Sequence, residues 1–266
     1  MRSRELGLVR TSTGGETRSD SAVLFVNSLA TTARMWDGVI SSLPAGIATV
    51  RYDQRDRGLP AGETSFTVDD LVDDLFAALD AAEVESAHVV GVSLGGLVGL
   101  RAAAVAPGRV RTLTAICCAA RFRRDVWVER GRLVRAGNFP SLVPGIIDRW
   151  FTPEFQREHP GIVAARRAEL EATDQAGYAA ACEVLATADV NDDLPAIQAP
   201  TLAVSGEADT ANPVTDLEHI AWAVPMSRHV MLPRTAHLAP VEQPGLVAGL
   251  VHRHISDYAP SGGAAR

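Results

Sequence analysis

Residues 87–105 constrain the fold of this chain more than any other stretch. Ala87-His88-Val89-Val90 has the continuous apolar character of an interior strand, Gly91-Val92-Ser93-Leu94-Gly95 follows as a sharp turn, and Gly96 to Ala104 reads as a helix of mostly small residues. In a G-x-S-x-G turn the serine sits on a strained strand-to-helix junction. The positions two places either side must lack side chains, because strand and helix close on each other there. Gly91 and Gly95 meet that demand, which makes Ser93 a candidate nucleophile facing the positive end of a helix. The same glycines do not make a phosphate loop: Leu97 and Val98 stand where lysine and a hydroxyl residue are required, and no G-x-G-x-x-G can be drawn. An idle serine in a glycine-rich turn is the rival reading of the pentapeptide, so the remainder of the chain must supply partners.

A chain of 266 residues, 47% hydrophobic and 21% charged, can bury a core the size of one α/β domain with an insertion. Its net charge of −7 and the lack of a basic stripe argue against nucleic-acid partners and anionic membrane surfaces. Met1-Arg2-Ser3-Arg4-Glu5 has no signal-peptide core, and no apolar run approaches the ~20 residues a bilayer span needs, so a cytoplasmic protein is expected. Cys117, Cys118 and Cys182 are an odd set without metal-ligand spacing, and indicate neither a disulfide framework nor a zinc site.

In chain order, Leu6 to Arg10 and Ala22 to Val26 read as strands of an N-terminal hairpin around the Thr13-Gly14-Gly15 turn. A short helix around Met35-Trp36 and a strand over Ile47 to Tyr52 follow. Thr67 is a candidate N-cap for a helix over 68–82, with Leu71, Leu75 and Leu79 on its apolar face; the run Asp69, Asp70, Asp73 and Asp74 reads as a solvated face rather than a metal site. Further strands are expected at Val110 to Ala115, Thr201 to Ser205 and His229 to Leu232, and a closing helix from about Gln243 to Ile255. Strands alternating with helices predict a mostly parallel twisted sheet covered on both faces. From 122 to 198 the strand signal gives way to helical spacing, which predicts a helical cap inserted between a core of 1–121 and 199–266. The tail from Ala259 is expected to be disordered.

An activated serine needs a base, and the base an orienting carboxylate. In an α/β-hydrolase these follow in the order Ser, Asp or Glu, His, each in a loop after a strand. Asp209 follows the Thr201 strand and His237 the His229 strand, so Ser93, Asp209 and His237 fit by order and context; Glu207 is the rival acid in the same loop. The oxyanion hole of this architecture uses the amide after the nucleophile and one from the loop after an earlier strand, here assigned to Leu94 and Leu29. His88, His219, His252 and His254 read as structural, the last two meeting solvent on the closing helix.

At this point the chain resembles the 3-oxoadipate enol-lactonases over nearly its whole length. The resemblance is carried by Asn27-Ser28-Leu29, Met35-Trp36, Arg51-Tyr52-Asp53, Gly91 to Gly96, Arg149-Trp150-Phe151-Thr152-Pro153-Glu154-Phe155, Gly177-Tyr178-Ala179, Gly206 to Asp209, and Ala236-His237-Leu238 with Glu242-Gln243-Pro244. It implies hydrolysis of 3-oxoadipate enol-lactone to 3-oxoadipate, late in aromatic degradation, with no cofactor. A lactone carrying a carboxylate implies an arginine in the pocket, for which Arg130, one turn after Trp127, is the candidate ahead of Arg132 and Arg135; Trp127 and Trp150 are the candidate aromatic contacts. Two departures stand out. Arg55-Asp56-Arg57-Gly58 replaces the usual Arg-Gly-His-Gly, and Ala30 replaces a usual glycine beside the oxyanion donor. Another esterase, lactonase or cofactor-free perhydrolase could use the same triad, and a non-catalytic ligand-binding protein is the alternative from a different class. The sequence leaves the oligomeric state open.

Overall fold

A computed structural model describes residues 9–12, 22–60 and 62–258. The expected glycine turn at Thr13 and the Ala259 tail lie outside these residues. The elements are β1 (Val9–Ser12), β2 (Ala22–Val26), α1 (Asp37–Ser42), β3 (Ala48–Arg51), α2 (Val68–Ala81), β4 (Ala87–Val92), α3 (Leu94–Val105) and β5 (Val110–Ile116). They continue with α4 (Arg124–Arg135), α5 (Phe139–Trp150), α6 (Pro153–Glu158), α7 (Pro160–Glu171) and α8 (Gln175–Thr187), then β6 (Thr201–Gly206), α9 (Val214–Ala223), β7 (Ser227–Leu232), α10 (Ala239–Glu242) and α11 (Pro244–Asp257).

The strands form one seven-stranded sheet in the order β1-β3-β2-β4-β5-β6-β7, parallel except for β1. The expected hairpin is therefore corrected: β1 runs antiparallel to β3, with Val9 opposite Arg51, and does not touch β2. The reason is that β2 already has parallel neighbours on both edges, β3 and β4, which leaves β1 only the free edge of β3. Val23, Leu24, Phe25 and Val26 are fully buried, as continuous apolar strands in a two-face-covered sheet must be. At the opposite edge, β7 is mostly half-exposed.

Helix α2 starts where the sequence places it. The Thr67 hydroxyl accepts from Asp70 N–H at 3.2 Å while the Asp70 carboxylate accepts from Thr67 N–H at 2.7 Å, a capping box. Leu71, Leu75 and Leu79 are buried on its sheet face, each stabilising by about 1.5–3 kcal/mol. The acidic run is spent on structure: Asp69 pairs with Arg101 and Asp74 receives a forked contact from Arg55.

Between β5 and β6 the described chain adds no strand to the sheet and runs through α4 to α8. Its two ends are tied together where it leaves and returns: Arg121 bridges Asp189, and Val190 N–H donates to Ala120 O at 2.9 Å. The expectation for His254 is also corrected. It is buried, with Nε2 against Pro200 O at 3.1 Å, because α11 turns that face onto the loop before β6. His88 is likewise interior, on Thr112 Oγ1 at 2.9 Å, and burial with the nearby Arg111 and His254 charges lowers its pKa to about 4.

Candidate active site

The turn after β4 holds Ser93 at φ 55° and ψ −114°, a left-handed conformation that an L-residue adopts only under constraint. The constraint comes from both sides. Ser93 N–H donates to Ile116 O at 2.9 Å and Ser93 O accepts from Leu97 N–H at 3.0 Å, fixing the residue between β5 and the first turn of α3. A Cβ on Gly91 would lie 2.2 Å from Gly95 O, and one on Gly95 would lie 2.3 Å from Val26 O, so only glycine lets strand, helix and the end of β2 meet here.

Asp209 lies in the loop after β6 with a side chain that is fully buried. Its Oδ1 accepts Ala211 N–H at 2.8 Å and Asn212 N–H at 3.1 Å, and its Oδ2 meets His237 Nδ1 at 2.9 Å. A carboxylate only accepts, so Nδ1 carries the proton and Nε2 keeps the lone pair. Of the two candidate acids Asp209 is the one that meets His237, whereas Glu207 is exposed and accepts Arg234 N–H at 2.8 Å. The His237 loop is braced by a residue whose role the sequence does not reveal. Glu242, buried, accepts Ala236 N–H at 2.5 Å on one oxygen and Thr152 N–H at 2.7 Å on the other, tying the histidine loop to the start of α6.

The loop after β2 is pinned at Asn27, Ser28 and Thr31. Asn27 Nδ2 donates to Tyr52 O at 2.9 Å, Trp36 Nε1 donates to Asn27 Oδ1 at 3.0 Å, and Thr31 Oγ1 donates to Ser28 O at 2.7 Å. Among the described residues neither Leu29 N–H nor Leu94 N–H has a hydrogen-bond acceptor. Leu94 is the first residue of α3, where the helix leaves its amides unpaired.

Ser93, His237 and Leu29 line one cavity of about 290 Å³. The inserted helices supply its other wall: Trp127 and Arg130 from α4, Ile146, Arg149 and Trp150 from α5, and Tyr178 from α8. The Arg130 guanidinium lies over the Trp127 ring, 4.4 Å from its centroid. Neither Arg130 nor Arg149 forms an ion pair with a carboxylate among the described residues, and burial together with the Arg130 charge lowers the Arg149 pKa. By contrast, Arg132 and Arg135 face away from the cavity and are paired with Glu129 and Glu183. Arg121 and Arg123 also line the cavity but pair with Asp189 and Asp125, so Arg149 is the second cavity arginine without a carboxylate partner, one that the sequence offered only as part of a motif.

A family model for the alpha/beta hydrolase fold matches residues 21–244. The chain is 32% identical over 224 residues to "3-oxoadipate enol-lactonase 1" of Acinetobacter baylyi, covering 84% of each chain. The chain belongs to the α/β-hydrolases, in the 3-oxoadipate enol-lactonase family. Solved α/β-hydrolases superpose closely on it. An enol-lactonase from Burkholderia xenovorans has a TM-score of 0.88 at 28% identity, with 94% of this chain and 96% of that one covered. An esterase from Thermogutta terrifontis, at 24% identity, shares the fold with a TM-score of 0.86 over 96% of this chain and 94% of its own. This α/β-hydrolase is therefore an enzyme acting on ester bonds of small molecules. Among the described residues, no helix is long and apolar enough to cross a membrane and no cluster of His, Cys, Asp and Glu is arranged to hold a metal.

Proposed function

We propose that this hydrolase opens 3-oxoadipate enol-lactone to 3-oxoadipate, a step of aromatic degradation in the cytoplasm, through an acyl-enzyme on Ser93. His237 Nε2 removes the Ser93 Oγ proton as Oγ attacks the lactone carbonyl, and Asp209 holds the imidazole and stabilises its charge. The oxyanion is received by the N–H groups of Leu29 and Leu94, where a single donor is typically worth ~3 kcal/mol. Collapse breaks the ring C–O bond and expels the enol oxygen, which takes the proton back from His237; the enol then becomes the ketone. Water next adds to the acyl-serine with His237 as base, releasing the second carboxylate and restoring Ser93. Residues 122–198 act as a lid over a catalytic unit of 1–121 and 199–266, and exclude bulk water from the acyl-enzyme.

One observation carries the substrate reading: the cavity that contains Ser93 and His237 also contains Arg130 and Arg149, with no described carboxylate paired to either. Guanidinium groups without a carboxylate partner in a half-buried pocket favour an anionic ligand, and Arg130, pre-stacked on Trp127 and hydrogen-bonded to Tyr178, presents its remaining donors to the lactone's acetate arm. Trp150 packs against the ring of the same substrate. The name borne by the Acinetobacter relatives supports the same choice.

The test measures enol-lactone turnover beside that of a neutral aryl acetate, in the parent and in Ser93→Ala. The expected result is turnover of the lactone with a kcat/KM well above that of the acetate, both lost in the variant by about 10⁴-fold or more. Aryl ester hydrolysis without lactone turnover would remove the substrate assignment. Failure of a serine-directed phosphonate to label the parent would remove the mechanism.

A further inference from the structure

Beside the proposed oxyanion donor Leu29 stands a second strained residue: Ala30 has φ 63°, the left-handed region that alanine avoids. Both of its backbone polar groups are taken by two consecutive side chains from the loop after β3. Asp56 Oδ2 accepts Ala30 N–H at 2.5 Å, and Arg57 Nη1 donates to Ala30 O at 3.3 Å. Asp56 is fully buried and its Oδ1 has no hydrogen-bond partner, a placement that costs stability and is not explained by packing. Arg57 reaches further, donating from the same nitrogen to Glu169 O at 2.8 Å and to Thr173 Oγ1, at the end of α7 among the inserted helices.

We propose that Asp56 and Arg57 are positioning residues that clamp Ala30 in its left-handed conformation, so that the preceding amide, Leu29 N–H, points into the cavity, and that Arg57 makes this clamp depend on the seating of the inserted helices. Leu29 precedes Ala30 directly, so the Ala30 φ sets the direction from which Leu29 enters it, and a change there re-aims the Ser28–Leu29 peptide that carries the Leu29 N–H. The chemistry differs between the two residues. Asp56 supplies a charged acceptor from a buried site and makes a short contact, whereas Arg57 shares one nitrogen, Nη1, among two carbonyls and a hydroxyl. Neither touches the reacting atoms.

The inference rests on the Ser93 reading, and the experiment separates the two. Asp56→Ala removes the amide half of the clamp. Expected is a fall in kcat of roughly tenfold or more, the scale of the left-handed preference it releases, with KM changed less than threefold and the rate of phosphonate labelling falling in step with kcat. Adding Ala30→Gly to Asp56→Ala is expected to recover at least fivefold of that loss, since glycine adopts the left-handed region unaided. Asp56→Asn, which keeps an acceptor, is expected to lose less than Asp56→Ala. A folded Asp56→Ala enzyme within threefold of the parent kcat overturns the proposal, and so does a loss that Ala30→Gly leaves unrecovered, because a merely structural defect would not be answered at position 30. If Asp56→Ala does not fold, Arg57→Met with and without Ala30→Gly takes its place, with the same two refuting results. Absence of phosphonate labelling in the parent would instead strike the Ser93 reading.

Discussion

Gly95→Ala is the perturbation that most directly probes how the elbow and the oxyanion loop are held together. A Cβ at position 95 would sit 2.3 Å from Val26 O and 2.6 Å from Asn27 O, where ordinary contact begins near 3.4 Å. Both atoms belong to backbone at the end of β2, so no rotamer change relieves the clash, and the two segments must part by about 1 Å. Leu29 and Ala30 follow Asn27 within that pinned loop, so the displacement carries the proposed donor away from the oxyanion. Losing one such donor costs about 3 kcal/mol, which is 10²–10³ in kcat, while KM for the ground-state ester moves little. Overpacking adds roughly 1–3 kcal/mol to the stability loss, or on the order of 2–12 °C in Tm for a chain of this size. The assay is kcat and KM with an aryl acetate, alongside thermal unfolding. Gly249→Ala is the control: nothing lies within 4 Å of its added Cβ, and within α11 it is expected to leave Tm unchanged or raise it. A folded Gly95→Ala enzyme with kcat within threefold of the parent would refute the close-approach argument.

Two further outcomes follow from the cavity and from the buried acid. Arg130→Met, which keeps most of the side-chain volume over Trp127, is expected to raise KM for the carboxylate-bearing lactone by about 10–100-fold while leaving aryl acetate kinetics within threefold, since a hydrogen bond to a charged group is worth about 1.5–3 kcal/mol; equal effects on both substrates would place the carboxylate elsewhere. Burial pushes the Asp56 carboxyl up to about 6 from its ordinary 3.8, against Ala30 N–H and Arg57, which favour its ionised form, and with Asp53 and Cys182 as its other titratable neighbours. The folded state thus binds this proton more tightly than the unfolded state, and stability falls as pH rises from about 4 to about 6, by at most about 3 kcal/mol from this group. Asp56→Asn is expected to flatten that slope in urea melts taken from pH 4 to 7, and parallel profiles for parent and variant would show that the proton is not shared unequally.

How much of this was legible in the sequence depends on whether each feature is fixed by local chemistry or by packing between distant segments. The elbow was readable because its demand is local: Gly91 and Gly95 are required by contacts within a few residues of Ser93 and with one neighbouring strand end. The parallel interior strands were readable because burial on both faces leaves a continuous apolar run, as in Val23 to Val26. Between Asp209 and Glu207 the sequence offers only a preference; in the structure Asp209 meets His237, while Glu207 is engaged by Arg234 N–H, 27 residues away. Three features depend on packing between distant segments. Helical spacing identifies the buried face of α5 through Val143, Ile146, Ile147 and Trp150, but whether Arg149 at the edge of that face meets water or the cavity depends on how α5 is set over the sheet. Asp56 lies among the charged residues Arg55 and Arg57, yet it is buried, and its carboxylate accepts from an amide 26 residues earlier. Ala30 stands where the resembled family usually has glycine, which marks the position, but the aspartate that meets its amide at this left-handed φ lies 26 residues away. In each of these cases the side chain answers to a backbone group on another segment, and that correspondence exists only once the sheet has brought the segments together.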